Sequence, residues 1–387
     1  MYIAKRMSRL GTETAFEVLA KAKQLEREGR DIVHLEIGEP DFDTPVNIRE
    51  AAKKALDQGW THYGPSAGLP EHRETISKYM KEYWDLDYSP EEIVVVPGAK
   101  PIMFFTILAC VEEGDEVIYP NPGFPIYESM VDYIGAKAVP IRLREELDFR
   151  LDVGELASLV TKKTRLVIVN SPANPTGGVL TKEDLAAVAE LALKNDLIVL
   201  TDEVYNRIIY EGEHHSVASF PGMKERTVLI DGYSKTYAMT GWRMGWGAMP
   251  ADLAPHVTRL MTNSNSCTCS FSQIAGIEGL TGPQDESKKM VEAFRERRDV
   301  IVDGLNSLAG ISCKKPKGAF YVFPNVTGTG KDEKWLADYF LDEAGVACLA
   351  GTSFGEYGKG YIRFSYANSV ENIEKATGRM AEALKSI

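Results

Sequence analysis

A chain of 387 residues with 44% hydrophobic and 26% charged residues is long enough for more than one domain and has the composition of an ordinary globular protein. Its formal net charge of −12 excludes a nucleic-acid backbone as the main partner, because binding one needs a basic footprint. A small anionic ligand, which responds only to local groups, is not excluded.

In chain order, Phe16, Leu19, Ala22 and Leu25 recur every three residues, which predicts an amphipathic helix over Thr14–Glu28 with Gly29 as its stop. IVHLEIG predicts a short strand running into the loop GEPDFDTP (38–45), whose two prolines forbid regular structure. Apolar runs then alternate with helical patterns. Strands are predicted at Ile93–Pro97, Glu116–Pro120, AVPIR, Arg165–Asn170, Leu197–Glu203 and Thr227–Tyr233. Helices are predicted from about Ala99 to Val111, over Phe124–Tyr133, and from Thr181 to near Asn195. Thr181 and Asp184 have capping-box spacing. This alternation predicts an α/β domain, a mostly parallel sheet with helices on both faces. After Thr281 the pattern becomes a long charged helix (Asp285 to about Leu308), an alternating run GAFYVF, a helix over Lys334–Glu343, a strand Tyr361–Tyr366 and a terminal helix. The expected division is a large domain over 46–280 and a smaller α+β domain made of 1–45 and 281–387.

The five cysteines (Cys110, Cys267, Cys269, Cys313, Cys348) are odd in number and irregularly spaced, which suits a reducing cytoplasm rather than a disulfide framework. Cys267-Thr-Cys269 lacks a second pair at zinc spacing, so no metal is expected. No apolar leader is visible, and the longest apolar run, Ile102–Val111, falls far short of the roughly 20 residues that span a bilayer. Thr327–Lys331 departs from a P-loop at Asn325 and Asp332. His214 and His215, in a polar loop, are expected to be solvated.

Ligands of open α/β folds bind outside the carboxyl ends of the strands, and four loops there carry chemistry. Pro97-Gly98-Ala99-Lys100 places a permissive glycine at a helix N-terminus, whose free N–H groups suit a phosphate; glycine before a helix is also common for no such reason. Asn170-Ser-Pro-Ala-Asn174-Pro-Thr-Gly-Gly holds Asn174 in a rigid turn, where it can donate to a phenolate oxygen or simply close the turn. Asp202, ending a buried strand, can hold a pyridine nitrogen protonated or act as a loop cap, and Tyr205 follows three residues on. The fourth is GYSKTYAMTGWRMG (232–245). Lys235 ends a buried strand between small residues, and Arg243 follows eight positions later. A displayed amine can bond the aldehyde of pyridoxal phosphate, and an arginine can neutralise its phosphate. A surface lysine after a strand is the bland alternative.

This last segment resembles the lysine-attachment signature of class I/II aminotransferases. The order of the four loops resembles fold-type I, class I enzymes over nearly the whole chain, most nearly the prokaryotic aspartate-aminotransferase-like branch. The resemblance implies pyridoxal 5'-phosphate held by Lys235, with Asp202 on the pyridine nitrogen and Asn174 and Tyr205 on the phenolic oxygen. It implies a phosphate site of Gly98, Ala99 and Arg243, with Tyr63 reaching the phosphate of the neighbouring subunit in a homodimer. Phe124 in NPGFPIY takes the place of the ring that stacks on the pyridine. Arg363 in YIRFSYANS and the backbone of Gly38 receive the substrate α-carboxylate. Gly232 stands where some relatives have serine, and Ser234 either replaces that phosphate contact or does not. Lys100 is expected to meet the side-chain carboxylate of aspartate or glutamate; an exposed lysine or a local ion pair is the alternative.

The expected activity is transfer of an amino group from an L-amino acid, best guess aspartate or glutamate, to a 2-oxo acid by ping-pong kinetics. Neutral or aromatic donors, a pyridoxal-phosphate β-lyase or synthase, and a catalytically silent binding module are the competing readings. The partners expected are small molecules and a second copy of the chain, with no nucleic acid and no membrane.

Overall fold

The structure, a computed structural model, describes residues 2–387. Its strands are β1 (Val33–His34), β2 (Ile93–Val96), β3 (Glu116–Asn121), β4 (Lys137–Arg142), β5 (Thr164–Asn170), β6 (Ile198–Asp202), β7 (Thr227–Gly232), β8 (Gly245–Ala248), β9 (Tyr321–Val322), β10 (Val346–Ala347), β11 (Leu349–Ala350) and β12 (Ile362–Ser365). Its helices are α1 (Ala15–Arg27), α2 (Val46–Asp57), α3 (Pro70–Trp84), α4 (Lys100–Cys110), α5 (Ile126–Ile134), α6 (Val153–Leu159), α7 (Lys182–Asn195), α8 (Ala254–Asn265), α9 (Ser270–Thr281), α10 (Asp285–Asn306), α11 (Glu333–Tyr339) and α12 (Val370–Leu384).

The central sheet has seven strands in the order β2-β8-β7-β6-β5-β3-β4. All run the same way except β8, which is antiparallel to both neighbours. The expected mostly parallel sheet is therefore present, and its strands are continuous apolar runs because both faces are covered. Leu166 and Ile168 on β5 face a core built with α4, α5 and α8. Val167 and Val169 face the opposite core, built with α6 and α7. Each such buried side chain stabilises the sheet by roughly 1.5–3 kcal/mol.

Register brings the chemistry to one edge. Asn170 lies opposite Asp202, and Gly232 lies opposite Gly245. The carboxyl ends of β5, β6 and β7 thus meet beside the start of α4. The capping box at Thr181 forms as expected: Asp184 N–H donates to Thr181 Oγ1 at 3.2 Å, and Thr181 N–H donates to Asp184 Oδ2 at 2.9 Å.

The C-terminal part carries an antiparallel sheet, β11-β12-β9, covered by α10 and α12 through Phe294, Ile301, Ile373 and Met380. β1 pairs in parallel with β10, Val33 against Val346, so the N-terminal segment joins this part. GAFYVF supplies only two strand residues, and the helix expected over Lys334–Glu343 ends in a π turn at Phe340–Ala344. No helix among the described residues is long and apolar enough to cross a membrane.

Candidate active site

A cavity of 530 Å³ opens at this sheet edge. Gly38, Ala99, Lys100, Phe124, Asn174, Asp202, Tyr205, Ser234, Lys235, Arg243 and Arg363, all expected from sequence, line it. Gly98 lies directly behind Arg243. Its φ is +81°, and a Cβ there would fall 2.1 Å from Arg243 Nη2, so only glycine lets the guanidinium approach the start of α4. Arg243 is fixed by donating to Thr240 O at 2.7 Å. The N–H groups of Ala99 and Lys100 at the start of α4 have no partner among the described residues, whereas Pro101 has no N–H and Ile102 N–H donates to Ala99 O; with this arginine they form an anion cradle. Ser234 borders the same space, and its hydroxyl makes no hydrogen bond among the described residues.

On the floor, Asp202 ends β6. Tyr127 Oη donates to Asp202 Oδ2 at 2.6 Å, and Val204 N–H donates to Oδ1. Burial, opposed by these bonds, lifts the Asp202 carboxyl to about 6. A carboxylate held at that cost beside a cavity favours a cationic partner, such as a protonated ring nitrogen. Tyr127 was not anticipated: an aromatic in NPGFPIY reads equally well as core. Phe124 meets Tyr127 edge-on, with ring centroids 5.6 Å apart.

Lys235 follows β7 and donates through Nζ to the carbonyl of Gly38. Its ammonium lies 5.9 Å from the Tyr205 ring and 5.7 Å from the Phe320 ring. Burial lowers its pKa to about 8, with Arg363 and Lys100 pushing the same way. At pH 8 about half of such amines are neutral, against roughly one in three hundred for an ordinary lysine. Only the neutral form of an amine is nucleophilic or basic.

Arg363 is 4% exposed and clamped between the rings of Tyr321 and Phe354, 4.6 and 4.8 Å from their centroids. One nitrogen donates to Asn174 Oδ1 at 3.1 Å and another to the carbonyl of Glu36. Its buried Nε has no partner. A guanidinium this buried asks for an anion, and a planar carboxylate fits it. Accepting from Arg363 leaves the amide N–H groups of Asn174 free to face the cavity. Tyr205 Oη and Tyr321 Oη share a hydrogen bond of 2.7 Å. Tyr321 is a second unanticipated wall residue, and its hydroxyl is the reason Gly38 carries no side chain: a Cβ would lie 2.0 Å from it.

Tyr63 and Lys100 stand apart from this cluster, and the expectation for His214 is overturned. Tyr63 is outside this cavity and 89% exposed, so its own chain's site does not include it. Lys100 is ion-paired with Glu13, the local pairing that the sequence left open. His214, expected in solvent, has a side chain only 2% exposed, with Nε2 2.7 Å from Glu203 Oε2. Glu203 is buried just past the end of β6 and takes His214, Ser216 and Thr201 as partners, because a desolvated carboxylate must be hydrogen-bonded. No metal-binding cluster of His, Cys, Asp or Glu occurs among the described residues.

Fold and site together bring a buried lysine, a buried carboxyl group and a guanidinium with an unpartnered Nε into one cavity at the edge of a mostly parallel sheet. Residues 30–380 match the family model for aminotransferase class I and II. The chain is 41% identical to an aspartate aminotransferase of Pyrococcus horikoshii, covering 99% of this chain and 97% of that one. It is 40% identical to aromatic-amino-acid aminotransferase 2 of Thermococcus litoralis, over 92% of each. The solved aspartate aminotransferase of Thermus thermophilus with maleate superimposes with a TM-score of 0.94 at 38% identity, covering 99% of this chain and all of that one. The chain belongs to the class I and II aminotransferase family, and it is a transaminase.

Proposed function

We propose that this transaminase uses pyridoxal 5'-phosphate and takes aspartate or glutamate as amino donor. The observation that carries the reading is the single cavity in which Lys235, Asp202 and the half-partnered Arg363 converge. When bound, pyridoxal phosphate supplies an aldehyde that takes up the donor's amino group and a ring that draws electrons from its Cα. Arg243 and the start of α4 hold the phosphate, and Asp202, steadied by Tyr127, keeps the ring nitrogen protonated. Asn174 and Tyr205 donate to the phenolic oxygen, and Phe124 covers the ring face. Arg363 and the Gly38 N–H orient the donor carboxylate. Lys235, once free, would take the proton from the donor's Cα, which requires its amine to be neutral.

We further propose a homodimer in which Tyr63 serves the neighbour's phosphate, supported by its exposure and by its absence from its own cavity. Mixed dimers of Lys235→Ala chains with Tyr63→Ala chains then hold one site with both residues intact and exceed either parent dimer in activity; mixed dimers no more active than the parents would refute the sharing. The division into 46–280 and 1–45 with 281–387 belongs to the same reading, supported by the pairing of β1 with β10.

The acidic-donor reading rests on Lys100 in the cavity wall. A charge-assisted contact is worth roughly 1.5–3 kcal/mol, or about ten- to a hundredfold in kcat/KM. Lys100→Met should cost aspartate turnover by that factor while sparing alanine and leucine, measured with 2-oxoglutarate as acceptor. A wild-type enzyme that prefers aromatic donors outright would exclude it.

A further inference from the structure

Glu13 lies on the short segment ahead of α1. That segment crosses between the two halves of the fold. Arg9 donates to Tyr133 O at 3.0 Å and Ser129 Oγ donates to Gly11 O at 3.1 Å, which tie it to α5 of the large sheet. Beyond Glu13, α1 is held to the C-terminal half by Lys21–Asp342 at 3.0 Å. At the crossing, the Glu13 side chain is only 19% exposed and its carboxylate grips the Lys100 ammonium, which also sits 5.2 Å from the Phe124 ring centroid.

Glu13 faces inward. Its negative charge favours the protonated forms of both Lys235 and Arg363. A carboxylate of this chain therefore occupies the position where, on the reading above, the side-chain carboxylate of an acidic donor would sit. Two carboxylates on one ammonium in a half-enclosed site repel each other, so one must leave.

We infer that Glu13 is a built-in competitor for the acidic side-chain site, a specificity-determining residue that sets the ratio of acidic to neutral donors. With a neutral side chain in the cavity, the Glu13–Lys100 pair stays closed, and Phe16, Ala15 and Ile37 offer an apolar wall. With an acidic side chain, Lys100 changes partner and Glu13 swings out, releasing the segment that straps the two halves. The inference rests on Lys100 as the recognising group.

The test compares wild type, Glu13→Gln, Glu13→Asp, Lys100→Met and the Glu13→Gln/Lys100→Met double variant in the holoenzyme. Inhibition constants are measured for maleate, a dicarboxylate, and 3-phenylpropionate, a monocarboxylate with an apolar tail. Donor kcat/KM is measured for aspartate and phenylalanine. Glu13→Gln should tighten maleate about five- to thirtyfold, the worth of a half-buried ion pair plus the repulsion removed, and leave 3-phenylpropionate within about twofold. The aspartate-to-phenylalanine ratio should rise in step, with Glu13→Asp between the two. In the Lys100→Met background most of the maleate gain should vanish, because no ammonium remains to compete for. Equal tightening in both backgrounds would make Glu13 a general repellent of anions and overturn the competitor role. If Lys100→Met weakens maleate while Glu13→Gln does nothing, the competitor fails and the acidic-donor reading stands. Maleate binding indifferent to both residues removes both.

Discussion

Lys235→Ala enzyme should transaminate at less than about a thousandth of the wild-type rate, while its fold and some cofactor binding survive. Two functions are lost at once. The residue is the one amine at the carboxyl end of β7, and its nitrogen reaches the carbonyl of Gly38 across the cavity. As a positioned base it contributes about 10²–10⁴ by proton transfer alone. No other lysine in the cavity replaces it, since Lys100 is engaged by Glu13. The Gly98–Arg243 cradle and Asp202 remain, so pyridoxal phosphate should still be retained without a covalent bond. Turnover near wild type would mean that Lys235 is neither anchor nor base.

Arg363→Ala should lower kcat/KM for every amino donor by about 10²–10³, through both kcat and KM. The guanidinium is already positioned by Asn174, the Glu36 carbonyl and two ring faces, and its buried Nε has no partner. A bidentate charge-assisted pair of this kind holds the carboxylate and thereby aims the Cα–H bond. Lysine in its place should restore little, because a point charge cannot match two parallel bonds or stack between Tyr321 and Phe354. The same geometry predicts that amino-acid amides are poor donors for the wild-type enzyme. Amides turned over as well as acids would remove Arg363 from this role.

The parallel strands were legible because a strand covered on both faces is an apolar run, and Ile93–Val96, Thr164–Asn170 and Ile198–Asp202 all are. β8 was not, since glycine at two of the four positions in GWGA leaves no alternation to read. Strands of two residues, such as β10 and β11, are fixed by partners distant in sequence and carry no period of their own. Lys235, Asp202, Asn174 and Arg243 were legible because polar residues stand out where buried strands end. Tyr127 and Tyr321 were hidden inside apolar runs, where an aromatic has no mark of function until its hydroxyl finds a partner. The Glu13–Lys100 pair joins residues 87 positions apart, and His214 meets Glu203 only because the chain folds back over the end of β6.

Borohydride reduction of the holoenzyme, followed by digestion and mass mapping of the peptides, tests the central assignment most directly. The account predicts one pyridoxyl adduct per chain, on the peptide containing Lys235, and its disappearance when an amino donor is added before reduction. An adduct on Lys100 or any other lysine, or none at all, would contradict it.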